Sequence, residues 1–332
     1  MELAACHDLV SKAQGGSFIS TAEYAPASLP SANEYVLFFK PELTALSRKA
    51  FGRVANLVQE RLEAFEQAVV LASALGSEYI RRHRIAEEHY GVINRVSQLG
   101  RRALSSEAAE RLLEVASSID EDALGAHEFL ARYPFFTPAA LAVFYDNLQS
   151  KRLAPGTHCV RAVVRGRPTV IFNGFHAEQL EHYTRPGATI LALVVRGTRS
   201  WVQVRRELTG ATDPKKALAD SIRGLLLARQ HELELEEVSS GRNGIHVSAG
   251  PIEGMVEVCR YASDLDGTER LRVEDTTLGR LLLAKGVDTR IIRDASMNPV
   301  VSVSGKQTPV FDLTEELDAA VAADRLSEAV FS

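Results

Sequence analysis

Three nearly unbroken apolar runs constrain this chain most. They are Tyr35-Val36-Leu37-Phe38-Phe39, Ala68-Val69-Val70-Leu71-Ala72-Ser73-Ala74-Leu75 and Ala188-Thr189-Ile190-Leu191-Ala192-Leu193-Val194-Val195. Runs this short suit strands covered on both faces. The alanines of the second leave a helix open there. Between the first two, Phe51, Val54, Val58 and Leu62 recur at helical spacing, which predicts a helix over 43–66. Sheet and helix must therefore bury each other.

The remaining chain reads as follows. Residues 1–33 predict a short helix at most and then a loop, ending in Leu29-Pro30-Ser31-Ala32-Asn33; Lys40-Pro41-Glu42 stops the first strand. A helix is predicted from 77 to about 103, followed by a helical block over 105–150 with Leu112, Leu113, Val115 and Ala116 on one face. Thr137-Pro138 supplies a cap and a first-turn proline for a later helix. Residues 159–164 and 169–172 flank Arg165-Gly166-Arg167-Pro168 as a hairpin. Short helices follow at 177–183 and at 200–208, the latter closed by Gly210. A strand near 245–247 precedes a helix over 251–261. In the tail, a helix over 277–285 stops at Gly286, strands are predicted at 300–303 and 309–311, and Asp312-Leu313-Thr314-Glu315 opens a final helix.

Composition sets wider bounds. A length of 332 residues suits two domains or one core with large insertions. Hydrophobic residues at 45% and charged residues at 24% are ordinary for a globular protein. A formal net charge of −5 opposes a general nucleic-acid binder, although a nucleotide site needs only a few local cations. No apolar run approaches the length that crosses a bilayer. The opening Met1-Glu2-Leu3-Ala4-Ala5-Cys6-His7-Asp8 lacks the basic start and apolar core of a secretory signal. Cys6, Cys159 and Cys259 form no pairing framework, which points to a reducing, cytoplasmic setting.

The run Gly210-Ala211-Thr212-Asp213-Pro214-Lys215-Lys216-Ala217-Leu218-Ala219-Asp220-Ser221-Ile222-Arg223-Gly224 is followed by Arg242-Asn243-Gly244-Ile245-His246-Val247-Ser248. Together they resemble the signature of nucleoside diphosphate kinases. Lys40-Pro41-Glu42 after the first strand resembles that family's KPD motif, and the segment ending His89-Tyr90 resembles its helix with an active-site tyrosine. The resemblance implies an α+β fold: a ferredoxin-like four-stranded antiparallel sheet with covering helices. It covers roughly half of the chain. The implied layout is an N-terminal segment (1–33), a kinase-like core (34–98 and 173–263), an insertion of helices plus a hairpin (99–172) and a small α/β C-terminal extension (264–332).

The resemblance also implies a site. His246 matches the nucleophile that carries a phosphoryl group, and Glu257 matches the carboxylate that orients its ring, with Glu253 one turn earlier as the fallback. Ser248 matches a serine that supports the same carboxylate. Lys40, Arg206, Arg223 and Thr212 match phosphate contacts, Asn243 a ribose contact and Tyr90 the active-site tyrosine. The base clamp departs from the family: the ring position falls on His176, beside Phe175, with Leu180 one turn on, and the opposite position falls on Ser240. The family's PGTIRG has Ala219-Asp220 in place of Pro-Gly, and Val247 rather than glycine follows the nucleophile.

The implied activity is ping-pong transfer of the terminal phosphate of ATP through phosphohistidine to a nucleoside diphosphate or related acceptor. Mg²⁺ would be held mainly by the nucleotide's phosphates. A degenerate nucleotide-binding regulatory protein and a biosynthetic kinase with a non-nucleotide acceptor are the alternatives. A homo-oligomer through the core is implied too, with the insertions standing against that packing. His83 and His89 do not share a helix face, His158-Cys159 lacks metal-ligand spacing, and 232–237 reads as a solvated acidic loop.

Overall fold

The three apolar runs become strands, because only a sheet covered on both faces hides apolar side chains that point alternately up and down. The computed structural model describes residues 1–28, 32–116 and 122–331. The chain forms two compact units, Met1–Tyr79 with Pro186–Ser332, and Ile80–Arg185. In chain order the strands are β1 (Phe18–Ser20), β2 (Asn33–Phe39), β3 (Ala68–Gly76), β4 (Asp122–Gly125), β5 (Lys151–Ala154) and β6 (Thr157–Val164). They continue with β7 (Arg167–Phe172), β8 (Thr189–Gly197), β9 (Ile245–Val247), β10 (Val300–Val303), β11 (Lys306–Pro309) and β12 (Val330–Phe331).

The larger unit is built on a five-stranded antiparallel sheet in the order β1-β3-β8-β2-β9. The outer strand β1 pairs Phe18–Ser20 with Leu75–Ser73, so the sheet has one more strand than the four expected. Along β2, Tyr35, Leu37 and Phe39 enter the main core with Phe51, Val54 and Val58 of the helix Arg48–Ala64. Phe38 faces the other side, where the helix Pro251–Tyr261 lies and Tyr261 approaches its ring at 5.4 Å. That second helix packs on two sides. Its Ile252 and Met255 join Leu278, Leu282, Ile292, Val301 and Val310 in a separate core formed with the tail.

Several expectations change. The helix predicted over 43–66 is preceded by a short turn of helix, Pro41–Thr44, and starts at Arg48 behind a Ser47 cap. The helix predicted over 77–103 is broken: Arg84 adopts φ +51°, and the segments are Ser77–Arg82, Ile85–His89 and Gly91–Leu99. The block over 105–150 contains β4, which pairs in parallel with β7; its residues 117–121 lie outside the described residues. The hairpin β6–β7 forms as expected, turning through Arg165 and Gly166, both with positive φ. In the tail, the second strand falls at Lys306–Pro309, residues 310–314 are helical rather than a strand, and the last helix is Ala319–Ser327 with Asp318 at its N-cap position. Residues 29–31 of the N-terminal loop lie outside the described residues. Among the described residues no helix is long and apolar enough to cross a membrane.

Candidate functional site

Two sequence motifs far apart in the chain are joined at the end of β2. The Lys40 amide donates to the Gly244 carbonyl at 2.9 Å, and the Gly244 amide donates to Glu42 Oε1 at 2.9 Å. Gly244 has φ +79°, a conformation that favours glycine, and a Cβ there would stand 2.6 Å from Leu226 Cδ1, which would have to shift. This turn delivers the chain into β9, where His246 pairs directly with Phe38. Partners opposite one another on antiparallel strands share a face. The two rings accordingly stack with centroids 4.6 Å apart and planes at 23°.

Three predicted residues converge on that face. Nε2 of His246 lies 2.8 Å from Glu257 Oε1 and 3.1 Å from Oε2, the hydrogen bond being made to Oε2. Ser248 donates from Oγ to the same Oε2 at 2.5 Å, while its Oγ accepts from the Val36 amide at 3.0 Å. The Ser248 carbonyl is held by Trp201 Nε1 at 3.0 Å. The Ser248 residue and the Glu257 side chain are buried, and the His246 side chain is 16% exposed. The carboxylate thus fixes the ring: with the proton on Nε2 facing Glu257, the lone pair resides on Nδ1. Glu253 lies one turn earlier on the same helix, Pro251–Tyr261. Burial raises its carboxyl pKa, and the nearby Glu257 charge raises it further.

The predicted cations divide sharply. Lys40 Nζ donates to Asn243 Oδ1 at 2.7 Å, and burial pushes its ammonium down to about 8. Asn243 is fixed in turn by donating from Nδ2 to the carbonyls of Thr212 at 3.0 Å and Ser240 at 3.2 Å. Arg223 is buried and donates to two main-chain carbonyls, Gly210 and Ile245, each at 2.8 Å. It ties the glycine that closes the preceding helix to the strand bearing His246. Arg206 is 68% exposed and pairs with Glu316 Oε2 at 2.9 Å. It lies on a π-helical turn, Val204–Thr209, where the Gly210 amide bonds the Arg205 carbonyl. Such turns are rare and often mark functional sites. Thr212 is exposed on the following loop.

Tyr90, His176 and Leu180 belong to the other unit, Ile80–Arg185. Within it, the Tyr90 and Tyr183 hydroxyls lie 2.9 Å apart. His176 is fully buried, its Nδ1 3.0 Å from Gln179 Oε1 and its Nε2 3.2 Å from Asn94 Oδ1, and desolvation lowers its pKa to about 4. A ring enclosed in this way has no open face for a base to stack on. Leu180 is partly buried on the helix His176–Thr184.

Sequence reasoning missed Phe38, Glu42, Arg205, Glu315 and Glu316 as neighbours of this machinery. Glu42 was within reach as the last residue of the Lys-Pro-Glu motif. The others depend on strand register and on tail packing, which leave no local signal. Cys6, Cys159 and Cys259 are unbridged. No family model matches the chain, and a search of curated proteins returns no match.

Proposed function

We propose that this protein is a phosphotransferase of the nucleoside diphosphate kinase type, acting through phosphohistidine at His246. The observation that carries the reading is the Ser248–Glu257–His246 chain on one sheet face. It gives an imidazole with a fixed tautomer, a buried counter-charge and partial access to solvent. The order β3-β8-β2-β9 supports the ferredoxin-like reading of the core, with β1 as an edge addition.

The lone pair on Nδ1 attacks the terminal phosphorus of a magnesium–nucleoside triphosphate. The N–P bond forms as the P–O bond to the bridging oxygen breaks, and the diphosphate departs with that electron pair. Glu257 stabilises the positive charge that develops on the ring. An oxygen of the acceptor's terminal phosphate then attacks phosphorus, and the N–P bond returns its pair to Nδ1. Lys40, whose ammonium donates to Asn243, would make the phosphate and ribose contacts; Arg206 and Thr212 are the exposed phosphate candidates. A homo-oligomer and a cytoplasmic setting complete the reading, the latter supported by the three unbridged cysteines.

A second reading has its own support. Arg223 is engaged by main-chain carbonyls and Arg206 by Glu316, which suits a protein that binds nucleotide and turns it over poorly. Treatment with γ-labelled ATP followed by a chase with a panel of nucleoside diphosphates separates the two. Label that enters the protein and leaves on the diphosphates supports the kinase. Saturable nucleotide binding with no label on the protein overturns it in favour of the regulatory protein.

A further inference from the structure

The tail crosses the site's arginines on a segment anchored at both ends. On one side, Val310 and Thr314 are buried, and the Thr314 hydroxyl donates to the Val310 carbonyl at 3.1 Å. On the other, Asp318 Oδ1 accepts from Asn33 Nδ2 at 2.8 Å and from the Trp201 amide at 2.7 Å. In between, the Glu316 amide donates to the Ala249 carbonyl at 3.0 Å. A Cβ added at Gly250 would meet the Thr314 carbonyl at 2.7 Å, so the strap lies directly on the backbone that follows Ser248.

Two carboxylates project from this strap. Glu315 reaches Arg205 at 2.6 Å, and Glu316 reaches Arg205 at 3.2 Å and Arg206 at 2.9 Å. Glu316 holds this position with φ +57°, a left-handed conformation unfavourable for a residue with a Cβ. Such a conformation persists only where the surroundings hold it, and such positions cluster at functional sites. A carboxylate and a phosphate oxygen present the same acceptor chemistry to a guanidinium.

We propose that residues 314–318 form an acidic strap whose Glu315 and Glu316 compete with a ligand's phosphates for Arg205 and Arg206, restraining the site from within the chain. This rests on the reading of Arg206 as a phosphate contact. A ligand with several phosphates displaces the two carboxylates, and the strap's anchors let it return when the ligand leaves.

The test measures, by titration calorimetry on the full chain, the Kd of Mg–ADP and of inorganic tripolyphosphate. The proteins compared are the wild type, Glu315→Gln/Glu316→Gln and a charge-matched control, Glu60→Gln/Glu63→Gln, at two exposed positions of another helix. The strap predicts both probes binding about 3- to 10-fold tighter to the strap variant, the range expected for releasing two partly exposed ion pairs, with the control within about twofold of wild type. Glu316→Gly, which keeps the backbone conformation and removes the carboxylate, is expected to give part of the same gain and guards against misfolding of the double variant. Equal affinity of both probes for wild type and strap variants overturns the strap. An equal gain in the control overturns it too, since bulk charge then explains the effect. Tighter tripolyphosphate with no ADP binding to any protein keeps the strap and removes the nucleotide reading. ADP binding without any gain does the reverse, and binding of neither probe to any protein removes both.

Discussion

At the scale of single residues, Glu257 decides whether His246 is a nucleophile or a packed imidazole. Its carboxylate is buried, receives the Ser248 hydroxyl at 2.5 Å and faces Nε2 of the ring. Glu257→Gln preserves the shape and removes the charge that, in the proposed reaction, would stabilise a developing imidazolium. The initial rate of His246 labelling from ATP is expected to fall by about 10²-fold or more, with the far-ultraviolet circular dichroism unchanged. An unchanged rate would remove Glu257 from the mechanism. Lys40 gives a pH dependence whose sign follows from its burial. Its pKa is lowered to about 8 from an ordinary 10.5, so phosphate binding should weaken as pH rises through about 8. Stability moves the other way. Between those two values the unfolded chain still holds the proton that the folded chain has released, so stability rises with pH across that window. Nucleotide titrations and urea unfolding from pH 7 to 9.5 check both signs, and Lys40→Met removes both dependences. His246, Glu257 and Ser248 were legible in the sequence because a long motif fixed their order. Phe38 was not, because its stacking on His246 depends on which residue of β2 faces which residue of β9, and that register is set by the whole sheet.

The elements were legible in proportion to their length and burial. β2, β3 and β8 announce themselves as apolar runs, and the helix Arg48–Ala64 by its period. β1 has three residues, too few to show a period, and exists because the free edge of β3 accepts it. The broken helix after β3 was invisible for a different reason: Arg84 takes a left-handed conformation that its side chain does not favour, so tertiary packing overrides local preference there. The turn into β9 makes the sharpest element-scale prediction. Gly244→Val demands φ +79° from a β-branched residue and drives its Cβ against Leu226. We expect a loss of roughly 2–4 kcal/mol in urea unfolding and a matching loss of His246 labelling, since the same turn aims the strand. Full stability in the variant would show that the turn has another conformation open to it.

Across the whole molecule, the helix Pro251–Tyr261 joins chemistry to architecture. One side brings Glu257 to His246, and the other closes a second core with the tail. The tail is therefore built into the larger unit, and Asp318 is one of its polar ties, bonding Asn33 and Trp201. Asp318→Ala should cost about 1–3 kcal/mol by leaving buried donors unmatched, measured by urea unfolding monitored at Trp201. It should also loosen the strap and so raise the affinity for tripolyphosphate. No change in stability would mean that the tail is held without Asp318. None of this long-range arrangement was legible locally, because Glu316 and Arg206 are 110 residues apart and meet only through that packing. The central claim remains the fate of one nitrogen. Phosphorus NMR of the protein after treatment with magnesium–ATP and removal of nucleotide tests it most directly. A phosphoramidate resonance that disappears on acidification and is absent from His246→Ala is expected. A protein with no such resonance, or one that keeps it in His246→Ala, would rule out phosphoryl transfer through His246.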